Sequence, residues 1–116
     1  MEFLDIGSGT VVGDFPCDAD FTGYPGLLHG GVTTALLDGA MTNCLMAHGT
    51  PGLTARLEVR FLHPVLINKT ATVRAWLEKT RGPLSILGAE LRQNDEVMAT
   101  ATGRFMAFSE QAKAEE

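Results

Sequence analysis

Residues 23–41 read GYPGLLHGGVTTALLDGAM. A histidine, two adjacent glycines and a lone aspartate stand in an otherwise apolar run. No proline interrupts the chain from Gly30 to His48. Val32, Ala35, Leu36, Leu37, Ala40, Met41, Leu45 and Met46 cover most of the circumference of an ideal helix. The spacing predicts one long helix over Gly30–His48, and a helix apolar nearly all round is expected to be buried. Its stop is legible too. His48 falls in the last turn, Gly49 follows as a cap, and Pro51 lies just beyond.

Downstream the period changes from helical to two. In LTARLEVRFL (53–62), Leu53, Ala55, Leu57, Val59 and Phe61 alternate with Thr54, Arg56, Glu58 and Arg60. One face is expected in the core and the other in water. TATVRAWL (70–77) continues with Ala71, Val73, Ala75 and Leu77 on one face. LSILGAELRQ (84–93) and EVMATATGRFMAF (96–108) are two more strands, joined at Asn94-Asp95, a hairpin tip. Gly88 and Gly103 are read as bends or bulges. Upstream, GTVVGDFP (9–16) reads as a first strand, and the tail SEQAKAEE (109–116) as frayed or helical at the surface.

The order is strand, long helix, then four strands linked mostly by short turns. Helix and strands do not alternate, so a doubly wound parallel sheet does not fit. An α+β architecture, one helix wrapped by an antiparallel sheet, fits better. Such a sheet leaves one side of the helix poorly covered in a monomer. Pairing through an edge strand is one remedy and predicts a dimer.

The bulk numbers bound the function. The 116 residues fit one domain, 1–116, able to bury a core without staples. A net charge of -5 argues against non-specific binding to nucleic acid or an anionic membrane. Cys17 and Cys44 form no CxxC pair and read as reduced thiols, Cys44 in the core. No signal peptide or membrane-length apolar run is visible, so a cytoplasmic protein is the default expectation.

A carboxylate amid leucines needs partners or a mouth open to water. The plain reading of Asp38 is a solvent-facing residue on the helix's one wet edge. Its neighbours offer another. Gly30 and Gly31 stand in the first turn, where N–H groups lack internal partners and glycine admits a ligand close to the backbone. The helix dipole adds positive potential there. Such an N–H can polarise an acyl carbonyl as an oxyanion hole does. Gly30 and Asp38 lie ~12 Å apart along an ideal helix. They can meet one carbonyl only if two subunits each supply one of them. An ordinary aspartate is ionised at neutral pH and can serve as nucleophile or as a base for water.

Other chemistries lack their motifs. There is no G-x-S-x-G elbow, no HExxH, no GxGxxG and no P-loop. His29, His48 and His63 are too scattered for a metal site, so no metal or cofactor is expected. His63 reads as a strand-end residue, and Trp76 as a surface or oligomer-contact residue. Met41 and Met46 are candidates for the wall of an acyl tunnel.

The quoted segment, followed by LTARLEVRFLHPV (53–65) and MATATGRFM (98–106), resembles the hotdog-fold acyl-CoA thioesterases. The likeness is nearest to the phenylacetyl-CoA and aromatic acyl-CoA branch and runs from about Gly7 to Phe108. It implies a hotdog fold with a five- to six-stranded antiparallel sheet, as a dimer or dimer of dimers. It implies thioester hydrolysis with coenzyme A as part of the substrate. Asp38 falls at the family's nucleophile or general base, and Gly30 at the N–H that polarises the thioester carbonyl. His29 lies beside that carbonyl, Gly31 next in the turn is expected to contact the substrate, and Thr54 is the hydroxyl that places water near the acid. The coenzyme A arm is expected near Phe61, Lys79, Arg81 and Gly82. EKTRGPL (78–84) suits phosphate physically, although a solvated turn is the simpler account of its two bases.

One departure stands out. Several members of the family it resembles carry an asparagine or similar polar residue six positions before the histidine, where this chain has Gly23. Asp18, Asp20 and Tyr24 are the nearby substitutes. The gap keeps a second reading open, a hotdog protein that binds acyl-CoA as sensor or carrier without cleaving it. A hotdog hydratase or dehydratase, needing a His29–Asp38 pair, fits the motif less well.

Overall fold

The computed structural model describes residues 3–7 and 9–108. The tail from 109 onward lies outside them. The elements are β1 (Leu4–Asp5), β2 (Thr10–Pro16), a 3-10 turn (Ala19–Phe21), α1 (Gly30–Ala47), β3 (Gly52–Phe61), β4 (Thr70–Arg81), β5 (Leu84–Gln93) and β6 (Glu96–Ala107). The six strands form one sheet in the order β1-β2-β4-β5-β6-β3, and every neighbouring pair is antiparallel. One long helix lies against it, the arrangement the hotdog resemblance implies. The two-residue β1 is an addition to the strands read from sequence.

Turn chemistry sets the meander. Asn94 and Asp95 have φ of 52° and 62°, both left-handed, as a two-residue type I′ hairpin requires. Gly82 at φ 59° followed by Pro83 joins β4 to β5, the sign pattern of a type II′ turn.

Helix burial is one-sided, as expected of a helix covered by a single sheet within one chain. Thr33, Leu37, Ala40, Met41, Cys44 and Leu45 are buried. Their 3–4 spacing makes a single stripe facing the sheet. They pack with Val73, Leu87, Leu91 and Phe105, each contributing roughly 1.5–3 kcal/mol of transfer free energy. Ala35 and Met46 on the other side are exposed. The sequence makes this helix apolar all round, but one sheet covers only half of it.

Strand β3 departs further from its pattern. It is the edge of the sheet, and most of it is exposed. Thr54 pairs with Phe105 and Arg56 with Arg104, so Ala55 is an extra residue bulged out of the ladder. Cross-strand partners share a face. Phe105 points into the core and Arg104 to water, so the bulge turns Thr54 inward and Leu53 outward. Leu53 is 63% exposed. Strict alternation predicted the reverse for both. A bulge is set by ladder geometry, which period-two counting cannot register.

Neither Gly88 nor Gly103 marks a bulge. The register shifts lie at Thr54/Arg56, Leu77/Lys79 and Leu91/Arg92. Both glycines make room for a neighbour instead. A Cβ at Gly103 would stand 2.7 Å from the Phe105 ring and 3.0 Å from Met41 Sδ, where the helix closes on the sheet. A Cβ at Gly88 would stand 2.7 Å from the Trp76 ring on the sheet's outer face. Trp76 is half-buried there, its Nε1–H donating to Glu78 Oε1 at 3.2 Å.

Candidate active site

The entry to α1 is held from both sides. A turn over Tyr24–Leu27 closes with Leu27 N–H donating to Tyr24 C=O at 2.9 Å; Pro25 and a left-handed Gly26 (φ 79°) make it type II. Leu28 N–H donates to Val65 C=O, Ile67 N–H to Gly26 C=O, and His29 N–H to Phe21 C=O. The loop carrying Val65 is itself anchored by Gln93. Its buried amide accepts from Leu66 N–H at 2.8 Å and donates to Leu66 C=O at 2.9 Å. Sequence reading passed over Gln93. Its signal was a polar residue in phase with Leu87, Ala89 and Leu91 on the inner face of β5.

His29 is the N-cap of α1. Its Nδ1 accepts from Gly31 N–H at 2.9 Å, which leaves the ring proton of the neutral form on Nε2. The N–H groups of Val32 and Thr33 donate to His29 C=O at 2.9 and 3.2 Å. Of the four amides that open the helix, Gly30 N–H alone has no acceptor among the described residues. It lies in the open, next to Phe61, whose ring is 3.8 Å from where a Gly30 Cβ would stand.

Two hollows meet at Gly30. One, of about 290 Å³, is lined by Tyr24, Leu28, Thr33, Phe61, Leu62 and Val65 among others. The second, of about 460 Å³, is lined by Thr22, Gly23, Tyr24, Leu28 and His29. Tyr24, 81% exposed, stands between them.

Asp38 sits two turns further along the helix and is half-buried. Thr54 Oγ1 donates to Asp38 Oδ1 at 2.8 Å. The β3 bulge that turns Thr54 inward makes this bond. Asp38 is therefore tied to the edge strand rather than turned to bulk water, and the hollows beside Gly30 do not reach it. The candidate residues thus fall into two groups, Gly30 with His29, Gly31 and Phe61 at one end of β3, and Asp38 with Thr54 at the other.

Lys79, Arg81 and Gly82 are not beside Phe61 in one chain. Phe61 pairs across to Ala99 and Leu91, whereas Lys79 pairs with Ile86, which pairs with Arg104 and so to Arg56. The two rows are five residues of β3 apart, roughly 17 Å. Position 23 does face His29: a Cβ there would stand 3.1 Å from His29 Cα and 3.6 Å from Cδ2. None of the proposed substitutes hydrogen-bonds to His29. Asp18 caps the 3-10 turn, and Asp20 and Tyr24 face solvent.

Met41 is fully buried against Gly103 and lines no hollow beside Gly30, while Met46 is exposed. His63 Nε2 lies 3.2 Å from Glu96 Oε1 at the end of the sheet. Cys17 and Cys44 are buried, and burial pushes both thiols above the ordinary thiol pKa; Asp5 adds to the rise at Cys44. Among the described residues no group of three or more His, Cys, Asp or Glu is placed to hold a metal ion. No helix among them is long and apolar enough to cross a membrane.

The family model described as "Thioesterase superfamily" matches residues 25–100. The chain is 34% identical over 86 residues to bovine (Bos taurus) acyl-coenzyme A thioesterase THEM4, covering 72% of this chain and 35% of that protein. It spans about a third of that relative's length. Among solved structures, a thioesterase superfamily protein superposes with a TM-score of 0.86 at 27% identity, over 90% of this chain and 54% of the other. A single-substitution mutant of the phenylacetic acid degradation protein PaaI from Thermus thermophilus superposes with a TM-score of 0.84 at 20% identity, over 92% of each chain.

Proposed function

Because this chain belongs to the thioesterase superfamily, we propose that it hydrolyses acyl-CoA thioesters at a site shared by two copies. The observation that carries the proposal is the pairing of a Gly30 N–H that has no acceptor among the described residues, at one end of β3, with a Thr54-bound Asp38 at the other. Two antiparallel β3 strands related by a two-fold axis near the strand's middle bring the Phe61 end of one beside the Thr54 end of the other. Each of the two junctions then holds a donor from one subunit and an acid from its partner.

In the reaction, the thioester carbonyl oxygen accepts from Gly30 N–H, aided by the helix dipole. Asp38 of the other subunit either takes a proton from water, whose oxygen bonds to the carbonyl carbon, or attacks that carbon itself. The tetrahedral oxyanion collapses, the C–S bond breaks, and the coenzyme A thiolate leaves and takes up a proton. On the direct-attack route water then cleaves the acyl–Asp38 anhydride. Thr54 fixes one carboxylate oxygen and leaves the second to react. His29 holds Gly31 N–H, so the first turn presents a single open amide. Lys79, Arg81 and Gly82 flank the exit for the coenzyme A arm from the subunit that supplies the acid.

Asp38→Ala tests this. Turnover of a panel of aromatic and aliphatic acyl-CoAs should fall by about 10²–10⁴ with the fold and assembly intact. Unchanged hydrolysis would remove Asp38 from the chemistry. A second reading, acyl-CoA binding without cleavage, has its support at position 23, where no polar side chain steadies the His29 ring. Tight acyl-CoA binding by the wild type with no thiol release would favour it.

A further inference from the structure

Gln93 is only 2% exposed, on the inner face of β5 where the strand ends. A buried amide is costly unless its polar atoms are paired. All of its hydrogen bonds go to other parts of the chain. Oε1 accepts from Leu66 N–H at 2.8 Å, and Nε2 donates to Leu66 C=O at 2.9 Å and toward Cys17 Sγ at 3.7 Å. Exchanging the amide's O and N would set donor against donor and acceptor against acceptor, so the network fixes its orientation. Gln93 lines neither hollow beside Gly30.

Leu66 is in the middle of the loop between β3 and β4, residues 62–69. The loop is held by backbone bonds at its two ends. Leu62 and His63 N–H donate to Met98 C=O at 2.9 and 3.0 Å, and Asn68 N–H donates to Cys17 C=O at 2.7 Å. In the middle, its backbone bonds run to the helix entry: Leu28 N–H donates to Val65 C=O at 2.8 Å and Ile67 N–H to Gly26 C=O at 3.0 Å. Leu66 stands opposite Leu27 there, and its own N–H and C=O turn the other way, to Gln93. Among the hydrogen bonds of the described residues, that amide alone ties the middle of the loop to the sheet. The same loop supplies Leu62, His63, Pro64 and Val65 to the wall of the hollow of about 290 Å³. The segment it holds ends two residues before Gly30.

We propose that Gln93 is a positioning residue for thioester cleavage. Through Leu66 it fixes the open Gly30 N–H and the Val65 wall of the hollow beside it, so that the carbonyl oxygen meets the donor at hydrogen-bond distance. It touches neither the substrate nor the reacting atoms. The proposal rests on the acyl-CoA reading above and adds a residue that reading does not use. An oxyanion donor works by being held in place before the charge develops. A displacement of about 1 Å can cost on the order of a hundredfold in rate. This loop is one of the two sides that hold the helix entry, so its own anchor bears on the donor.

The test compares Q93M and Q93E with wild type, each well below its unfolding temperature. Q93M keeps the length and loses both bonds to Leu66. Its kcat on an acyl-CoA should fall about tenfold, with KM within about twofold. In Q93E a neutral carboxyl restores both bonds, its O–H donating to Leu66 C=O and its other oxygen accepting from Leu66 N–H. Once ionised it can only accept. Burial favours the neutral form. The ratio of its kcat to that of wild type should therefore approach one at about pH 5 and fall as the pH is raised toward about 8. The titratable groups around position 93 are Cys17, Glu96 across the hairpin, and the exposed His63 and Lys69 of the loop. Wild type shares them, so their titration cancels in the ratio. Hydrogen exchange at the Leu28 and Leu66 amides should be about tenfold faster in Q93M, and the Gly30 amide resonance should move.

A Gln93 that only stabilises the fold would lower the unfolding temperature and leave kcat where it was; that result overturns the proposal. So does a loss carried wholly by KM, or a Q93E as impaired as Q93M at about pH 5. If wild type cleaves no thioester, hydrolysis fails, and the exchange rates and the Gly30 resonance decide the positioning by themselves: unchanged in Q93M, they overturn it, and shifted as described, they uphold it.

Discussion

The sheet ends differently on its two sides. At one edge β1 is two residues long. At the other β3 runs for ten, with Leu53, Phe61 and Leu62 exposed along and just beyond it. A short edge offers a second chain few unpaired groups, whereas a long apolar one is a template for pairing. The half of α1 that the sheet leaves bare shows Ala35 and Met46 to solvent. Both halves of the candidate site are at the ends of β3: Gly30 lies beside Phe61, and Asp38 accepts a hydrogen bond from Thr54. The β3 edge thus bears both halves of the candidate site, and the β1 edge bears neither. On the proposed reading, a second copy over β3 would complete two such sites in one step.

The strongest way to break this contrast is subunit complementation. Gly30→Pro deletes only the open N–H. Proline is tolerated at the first helical position, His29 is already extended (ψ 132°), and the nearest side chain to a Cβ there is Phe61 at 3.8 Å. Gly30→Pro and Asp38→Ala homodimers should each be nearly inactive. Unfolded and refolded together at equal amounts, they should recover roughly a quarter of wild-type activity, because half of the dimers are mixed and each mixed dimer holds one intact site of two. No recovery would place both groups within one subunit's site.

Thr54→Val sharpens the same comparison at the acid end. It keeps the shape and removes the hydrogen bond to Asp38, so kcat should fall about tenfold, less than for loss of the acid. KM should stay within about twofold. A drop as large as that of Asp38→Ala would make the hydroxyl itself part of the chemistry.

Stability probes separate the helix side of the sheet from its outer side. Gly103→Ala forces a methyl against Phe105 and Met41 in the core and should cost about 1–3 kcal/mol in denaturant unfolding. Gly88→Ala meets a half-exposed Trp76 ring that can move, and should cost less, under about 1 kcal/mol. The reverse order would mean that the outer face is the better packed of the two.

The smallest effect concerns the buried thiols. Burial raises the pKa of Cys17 and Cys44 in the folded chain. The stability this contributes is fully present below an ordinary thiol pKa of about 8.5 and is lost as pH rises through the folded values. Urea midpoints should show no thiol-linked change up to about pH 8.5 and decline above it, and the decline should shrink in a Cys17→Ala/Cys44→Ala protein.

Much of this was legible in the residues. The helix, its stop at Gly49 and the hairpin tip at Asn94-Asp95 follow from local pattern, whereas Thr54 was set beside Asp38 and Gly30 only by the family resemblance. The pattern misled where a contact distant in sequence decided the outcome. Gly88 and Gly103 read as bends because nothing near them in sequence names Trp76 or Met41. Gln93 passed unnoticed because its partner Leu66 is a loop residue from another part of the chain.

The sequence by itself determined the elements and the chemical types available, since periodicity, capping and turn preferences act over a few residues. Tertiary structure decided which groups meet. It placed β3 at the edge, inserted the bulge that turns Thr54 toward Asp38, left Gly30 N–H open while His29 took up Gly31, and brought Gln93 to Leu66. Each of these depends on strand order and register, which arise only when distant segments pair and which no local stretch of residues encodes.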